Sequence, residues 1–180
     1  MTRYELLTQW SKEFFDDQFT IEPASNDASF RCYYRIKTNK KSFIAMDAPP
    51  DKEDISSFLA IGKKLRQDNI RVPNLYEVNS SLGFILMEDF GKTTYGDALT
   101  LKNSDKLYKN ALSTLVTIQK NCHYKNVPSY TSGLLLNEIS LFEEWYLNKY
   151  KKIILNSNEK NDLSKIFNII IKFFIIICYS

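Results

Sequence analysis

Ser29-Phe30-Arg31-Cys32-Tyr33-Tyr34-Arg35-Ile36-Lys37-Thr38-Asn39-Lys40-Lys41-Ser42-Phe43-Ile44-Ala45-Met46-Asp47-Ala48-Pro49-Pro50 is the stretch that decides the fold. Phe30, Cys32, Tyr34 and Ile36 alternate with Ser29, Arg31, Tyr33, Arg35 and Lys37. A period of two is that of a strand. Thr38-Asn39-Lys40-Lys41 reads as a turn, and Ser42 to Asp47 as the returning strand. Pro49-Pro50 end it, because neither ring nitrogen can donate to a ladder. Ile55, Phe58, Leu59, Gly62 and Leu65 then form one apolar stripe at helical spacing.

Outward from this core the pattern stays simple. Thr2-Arg3-Tyr4-Glu5 has the spacing of a capping box, and Leu6, Leu7, Trp10 and Phe14 predict a first helix to about Phe15. A short strand is expected around Phe19 to Ile21. Leu75 to Val78 and Phe84 to Glu88 read as two further strands, joined by the turn Asn79-Ser80-Ser81-Leu82-Gly83. Hairpin, helix, hairpin is unlike alternating βαβ, and predicts an α+β protein with an antiparallel sheet and one packed helix. After Gly91 the pattern is helical. One stripe is Leu107, Ala111, Leu115 and Ile118; another is Leu135, Ile139, Phe142, Tyr146 and Tyr150. The change at Gly91 to Asp97 predicts two lobes, 1–91 and 92–180.

The bulk composition excludes several classes. With 44% hydrophobic and 25% charged residues the chain is globular, not disordered. A net charge of +3 with scattered basic residues gives no field for nucleic acid. Cys32, Cys122 and Cys178 are widely spaced and lack a CxxC unit, which fits a reducing compartment better than disulfides or zinc. The start enters an amphipathic pattern with no apolar signal core, so a cytoplasmic location is expected. Ile166 to Tyr179 is strongly apolar but broken by Lys172. As a helix it would reach only roughly 21 Å, short of a bilayer core near 30 Å, so no membrane span is expected. A buried element that has lost its partners and an aberrant tail over 166–180 are the remaining readings.

Three further segments carry chemistry: Ser25-Asn26-Asp27-Ala28-Ser29-Phe30-Arg31, Met46-Asp47-Ala48-Pro49-Pro50, and Gly83-Phe84-Ile85-Leu86-Met87-Glu88-Asp89-Phe90-Gly91. Together with the Leu-Phe-x-x-Trp helix at Leu141 to Trp145 they resemble the aminoglycoside phosphotransferase family of kinase-like enzymes. Within it, they look closest to the bacterial kinases that phosphorylate N-acetylmuramate and N-acetylglucosamine at the anomeric hydroxyl. The resemblance covers Met1 to about Tyr150. It implies a protein-kinase-like fold whose nucleotide-binding lobe is followed by a helical acceptor lobe. ATP, Mg²⁺ and a sugar acceptor are the implied ligands.

On that resemblance each segment takes a role. The turn at Asn26, Asp27, Ala28 and Ser29 would cover the nucleotide phosphates, with Arg31 adding charge. Alone it is an ordinary polar hairpin turn. Kinase-like folds usually carry a phosphate-gripping lysine on the third strand, yet none occurs from Ser42 to Pro50. Arg31 and Arg35 are the candidates to replace it, and Met46 lies on that strand as a nucleotide contact. Asp47 is either a cleft carboxylate or a cap before Pro49-Pro50. Glu53 either orients a basic partner across the cleft or sits favourably at a helix N-terminus. Glu88, Asp89 and Phe90 form the hinge whose backbone would meet the adenine edge, with Met87 facing the pocket or the core. Glu138, Glu143 and Trp145 are candidate acceptor contacts, or the solvated face of an amphipathic helix.

The resemblance also implies a His-x-Asp-x-His-x-x-Asn catalytic loop and a metal-binding Asp motif, and neither is in this sequence. His123, the only histidine, has no Asp two residues on. No catalytic residue and no metal ligand is therefore assigned. The expectation is a truncated, inactive front half of a sugar kinase; the alternative is a non-catalytic nucleotide- or partner-binding remnant. Walker-type, dinucleotide-binding and nucleophile-elbow motifs do not occur.

Overall fold

Five strands form one antiparallel sheet in the order β1-β2-β3-β5-β4, where β1 is Phe19–Asn26, β2 Cys32–Thr38, β3 Ser42–Asp47, β4 Leu75–Asn79 and β5 Phe84–Glu88. The computed structural model describes residues 1–16, 18–26, 29–121 and 130–179, the side chains of 26 and 176–179 excepted. Its helices are α1 (Arg3–Ser11), α2 (Ile55–Gln67), α3 (Tyr95–Ala98), α4 (Ser104–Asn121), α5 (Ser132–Leu141) and α6 (Ser157–Tyr179), with a π-helical stretch over Phe142–Lys151. The chain forms two compact units, Met1–His123 and Tyr124–Ser180.

The alternation read in the sequence gives the sheet two apolar faces. Phe43 and Ala45 of β3 join Ile36, Phe84 and Leu86 in a cluster with Leu7 and Trp10 of α1. Met46 joins Ala48, Ile85 and Met87 in a cluster with Ile55 of α2, flanked by Tyr33, Ile44, Phe58 and Leu59. The expected helix thus packs on the sheet through its apolar stripe. A second helix, α1, covers the opposite face. Fully burying one side chain such as Leu7 is worth roughly 1.5–3 kcal/mol, so both faces contribute to stability.

Local chemistry fixes the boundaries. The capping box forms as read: the Thr2 hydroxyl accepts from the Glu5 amide, and the Glu5 carboxylate from that of Thr2. The helix stops at Ser11, earlier than Phe15, and continues as turns through Phe14 and Phe15 hydrogen-bonded to Ser11. Phe15 still reaches the core, its ring 4.8 Å from that of Phe43. β1 extends beyond Ile21 to Asn26 because it is an edge strand, where Pro23 is tolerated, with a register shift between Pro23 and Ser25. Asp54 caps α2 by accepting from the Ser56 amide at 2.8 Å. The turn before β5 needs Gly83, whose φ is +71° and whose carbonyl accepts from the Ala48 amide at 2.9 Å.

In the second unit the Thr131 hydroxyl caps α5. Phe142, Tyr146 and Tyr150 stack along the π-helical stretch, with centroids 5.3 and 5.8 Å apart. Lys152, in a left-handed conformation, ends it. On α6 Phe167 and Ile171 are buried, whereas Ile166, Ile169, Ile170, Phe173 and Phe174 are exposed. Among the described residues no helix is long and apolar enough to cross a membrane.

Candidate nucleotide site

The face of the sheet that carries α2 is bounded at its two ends by the segments singled out in the sequence. Cross-strand register sets Tyr33 beside Met46 and Met46 beside Ile85; Arg35 lies beside Ile44 and Ile44 beside Met87. The turn between β1 and β2 closes one end, level with Cys32, Asp47 and Phe84. The segment after β5 leaves the other end, where Phe43 pairs with Glu88. Four residue steps of β3 separate the two ends, roughly 13 Å.

At the first end, Asn26 closes β1 opposite Cys32, while Asp27 and Ala28 lie outside the described residues. The Ser29 hydroxyl accepts from the Arg31 amide at 3.2 Å. Glu53, on the short turn ahead of α2, receives two partners: the Phe30 amide at 3.1 Å and the Arg31 guanidinium at 3.1 Å. Lys52 covers the Phe30 ring at 4.7 Å. Burial works against the charge on Arg31, but Glu53 more than offsets it and raises the Arg31 pKa. One carboxylate therefore holds both the backbone and the cation of the turn. No lysine approaches from β3, where Met46 is fully buried in the core.

At the second end both carboxylates are paired, and Asp89 is turned away from solvent. Glu88 pairs with Arg71 and accepts from the Asn74 amide at 3.1 Å; these bonds hold its pKa below the usual range. Asp89 takes a two-pronged contact from Arg35, Nε to Oδ2 at 2.6 Å and Nη2 to Oδ1 at 3.0 Å. The Gly91 amide also donates to Asp89, at 2.8 Å, and Arg35 reaches the Gly91 carbonyl at 2.9 Å. Arg35 thus lies at this end, away from the turn. Its hydrogen bond holds the Asp89 pKa far below the ordinary carboxylate range, against the opposing effect of burial. Phe90 is exposed beneath the Arg71 guanidinium. Among the described residues its backbone N–H and C=O meet no hydrogen-bonding partner.

The remaining candidates sit elsewhere. Asp47 shares the α1 side of the sheet with Phe43 and Ala45, and is paired there with Arg3, which also donates to the Leu82 carbonyl at 2.6 Å. In the second unit Tyr130 is hydrogen-bonded to Glu138, which raises the tyrosine pKa. Glu143 pairs with Lys160 at 3.1 Å. Trp145 is 56% exposed, with the Lys149 ammonium 3.6 Å above its ring. Among the described residues no group of three or more acidic, histidine or cysteine side chains could hold a metal. A cavity of about 540 Å³ opens between α2 and β4, lined by Phe58, Leu59, Gly62, Leu65 and Leu75 together with Arg31. Arg71 was not among the expected site residues: nothing local ties it to a carboxylate 17 positions on.

An antiparallel sheet with a helix inserted between β3 and β4, and a glycine-ended hinge after β5, defines the amino-terminal lobe of the protein-kinase-like fold. Residues 20–152 match the model of the phosphotransferase enzyme family, APH, and the chain belongs to that family. It is similar to an N-acetylmuramate/N-acetylglucosamine kinase of Pseudomonas putida, 32% identical over 180 aligned positions that cover 94% of this chain and 53% of the relative. The kinases of the same name in Pseudomonas aeruginosa and Neisseria meningitidis serogroup B are 33% and 32% identical, over 82% and 83% of this chain and 47% and 46% of theirs. The chain spans about half the length of the curated relatives it matches.

Proposed function

We propose that this protein is an ATP-dependent phosphotransferase acting on a hydroxyl of a cell-wall amino sugar, N-acetylmuramate or N-acetylglucosamine. Residues 1–91 are its nucleotide-binding lobe and 92–180 the beginning of the helical acceptor lobe. The single observation that carries the nucleotide reading is the bracketing of one apolar sheet face by two polar ends. At the first end the triphosphate lies under Asn26, Asp27, Ala28 and Ser29, with Arg31 supplying the charge that β3 lacks. At the second the base meets the backbone of Glu88, Asp89 and Phe90; Met46, buried in the core one residue from Asp47 at the other end, is not a base contact. Glu53 orients Arg31 as a helix-borne glutamate orients the strand lysine of a protein kinase.

Mg²⁺ would enter with the triphosphate and offset its charge. Glu138, Glu143 and Trp145 are the proposed acceptor contacts, carboxylates for hydroxyl groups and a ring for the sugar's C–H face. The names of the relatives supply the amino-sugar assignment. The 180 residues contain no His-x-Asp-x-His stretch, so they bind nucleotide without transferring its phosphate. A non-catalytic nucleotide- or partner-binding role is the second reading.

The test is calorimetric titration with ATP, together with ³¹P NMR of a mixture of protein, Mg·ATP and N-acetylmuramate. Saturable ATP binding and no anomeric phosphate are expected from this chain. A folded protein that binds no ATP overturns the nucleotide reading. Appearance of a sugar phosphate overturns the expectation that these 180 residues bind nucleotide without transferring its phosphate.

A further inference from the structure

Arg35 and Asp89 stand 54 positions apart and meet with side chains only 10% and 3% exposed. Burying an ion pair seldom stabilises a fold more than an apolar pair of similar volume would. What this pair does supply is geometry. Asp89 receives both prongs of Arg35 and the Gly91 amide, while Arg35 also donates to the Gly91 carbonyl. Both backbone groups of Gly91 are thereby occupied, and its φ of +93° is a left-handed conformation that suits glycine. Phe90 lies between the two tethered residues, and its N–H and C=O, like those of Asp89, meet no hydrogen-bonding partner among the described residues.

We propose that Arg35 and Asp89 are positioning residues that hold residues 89–91 in the shape that offers the Phe90 backbone to a nucleobase edge. This rests on the nucleotide reading above and deepens it. The pair touches neither base nor phosphate; it acts through Gly91 and Phe90. Arg35 is thereby removed from the phosphate end, which leaves that task to Arg31. A base edge carrying adjacent donor and acceptor groups, such as adenine, is the ligand chemistry that a lone N–H and C=O would take.

The experiment is titration of ATP, adenosine and inorganic triphosphate into the unchanged chain and into Asp89→Asn, Arg35→Lys and Arg31→Gln, with circular dichroism to confirm folding. Asp89→Asn is expected to weaken adenosine and ATP by the same factor, about tenfold, and to leave triphosphate unchanged. Arg35→Lys keeps the charge but loses the fork, and is expected to follow it more mildly. If Asp89→Asn does not fold, the milder variant decides. Arg31→Gln is expected to do the reverse, weakening ATP and triphosphate but not adenosine. Folded variants that bind adenosine as well as the unchanged chain overturn the inference while leaving the nucleotide reading intact. An equal loss of adenosine and triphosphate also overturns it, because it marks a general structural role. If the unchanged chain binds no ATP, the nucleotide reading falls and this inference with it.

Discussion

Arg31, on the turn into β2, and Glu53, on the turn into α2, form an ion pair at 3.1 Å whose carboxylate also accepts the Phe30 amide at 3.1 Å. The pair ties the turn into β2 to the turn into α2. It also leaves a cation beside the turn, where β3 supplies none.

Arg31→Gln should therefore weaken ATP binding about tenfold, equivalent to roughly 1.4 kcal/mol, as read by calorimetry. Stability should change little, because partly exposed ion pairs contribute only about 0–1 kcal/mol. A urea midpoint that collapses with binding intact would contradict this assignment.

Two glycines with left-handed backbones should respond unequally to alanine. At Gly83 a Cβ would run into the Ala48 carbonyl oxygen, a backbone atom that cannot step aside. At Gly91 nothing lies within 4 Å, so only the φ of +93° is penalised. Gly91→Ala should cost about 1 kcal/mol, and Gly83→Ala clearly more, about 2 kcal/mol or above. Urea denaturation of both variants checks the order.

Asp89 makes stability depend on pH in acid. The Arg35 hydrogen bond lowers its pKa in the folded state, so the unfolded chain binds the proton more readily. The stabilisation is complete above the unfolded value of about 3.9, and is lost progressively as pH falls below it towards the folded value. Unfolding free energy measured from pH 6 to pH 2 should fall less steeply in Asp89→Asn than in the unchanged chain.

The sheet was legible because its strands obey one short-range rule. Alternation from Phe30 to Lys37 and the break at Pro49-Pro50 predict β2, β3 and the start of α2 with little help from the rest of the chain. β1 read short because Pro23 interrupts a strand pattern unless the strand lies at an edge, and edges are a property of the whole sheet. The helix α1 was visible, but not the face it covers. The side of Asp47 is implicit in its even spacing from Phe43 and Ala45, which sets it with α1 and Arg3. The clamps at the hinge are different in kind. Arg35 with Asp89, and Arg71 with Glu88, join residues far apart in sequence, so no local pattern announces them.

The two tryptophans should separate core from surface. Trp10 is buried against Phe14 and Phe84, at 5.1 and 5.5 Å between centroids. Trp10→Ala should cost about 3–5 kcal/mol. Trp145 is exposed, and Trp145→Ala should leave the urea midpoint within experimental error. If Trp145 meets the sugar, its loss should appear in acceptor affinity alone, measured by titration with N-acetylmuramate.

On the proposed function a nucleotide lies along the α2 side of the sheet, from the turn at Ser29 to Arg31 to the hinge at Asp89 to Gly91. Amide hydrogen exchange with and without Mg·ATP tests it most directly. Exchange should slow at Phe30, Arg31 and Phe90, with no change at Leu7 to Ser11 of α1 on the opposite face. Protection confined to α1, or absent from both ends of the α2 face at saturating ATP, would contradict it.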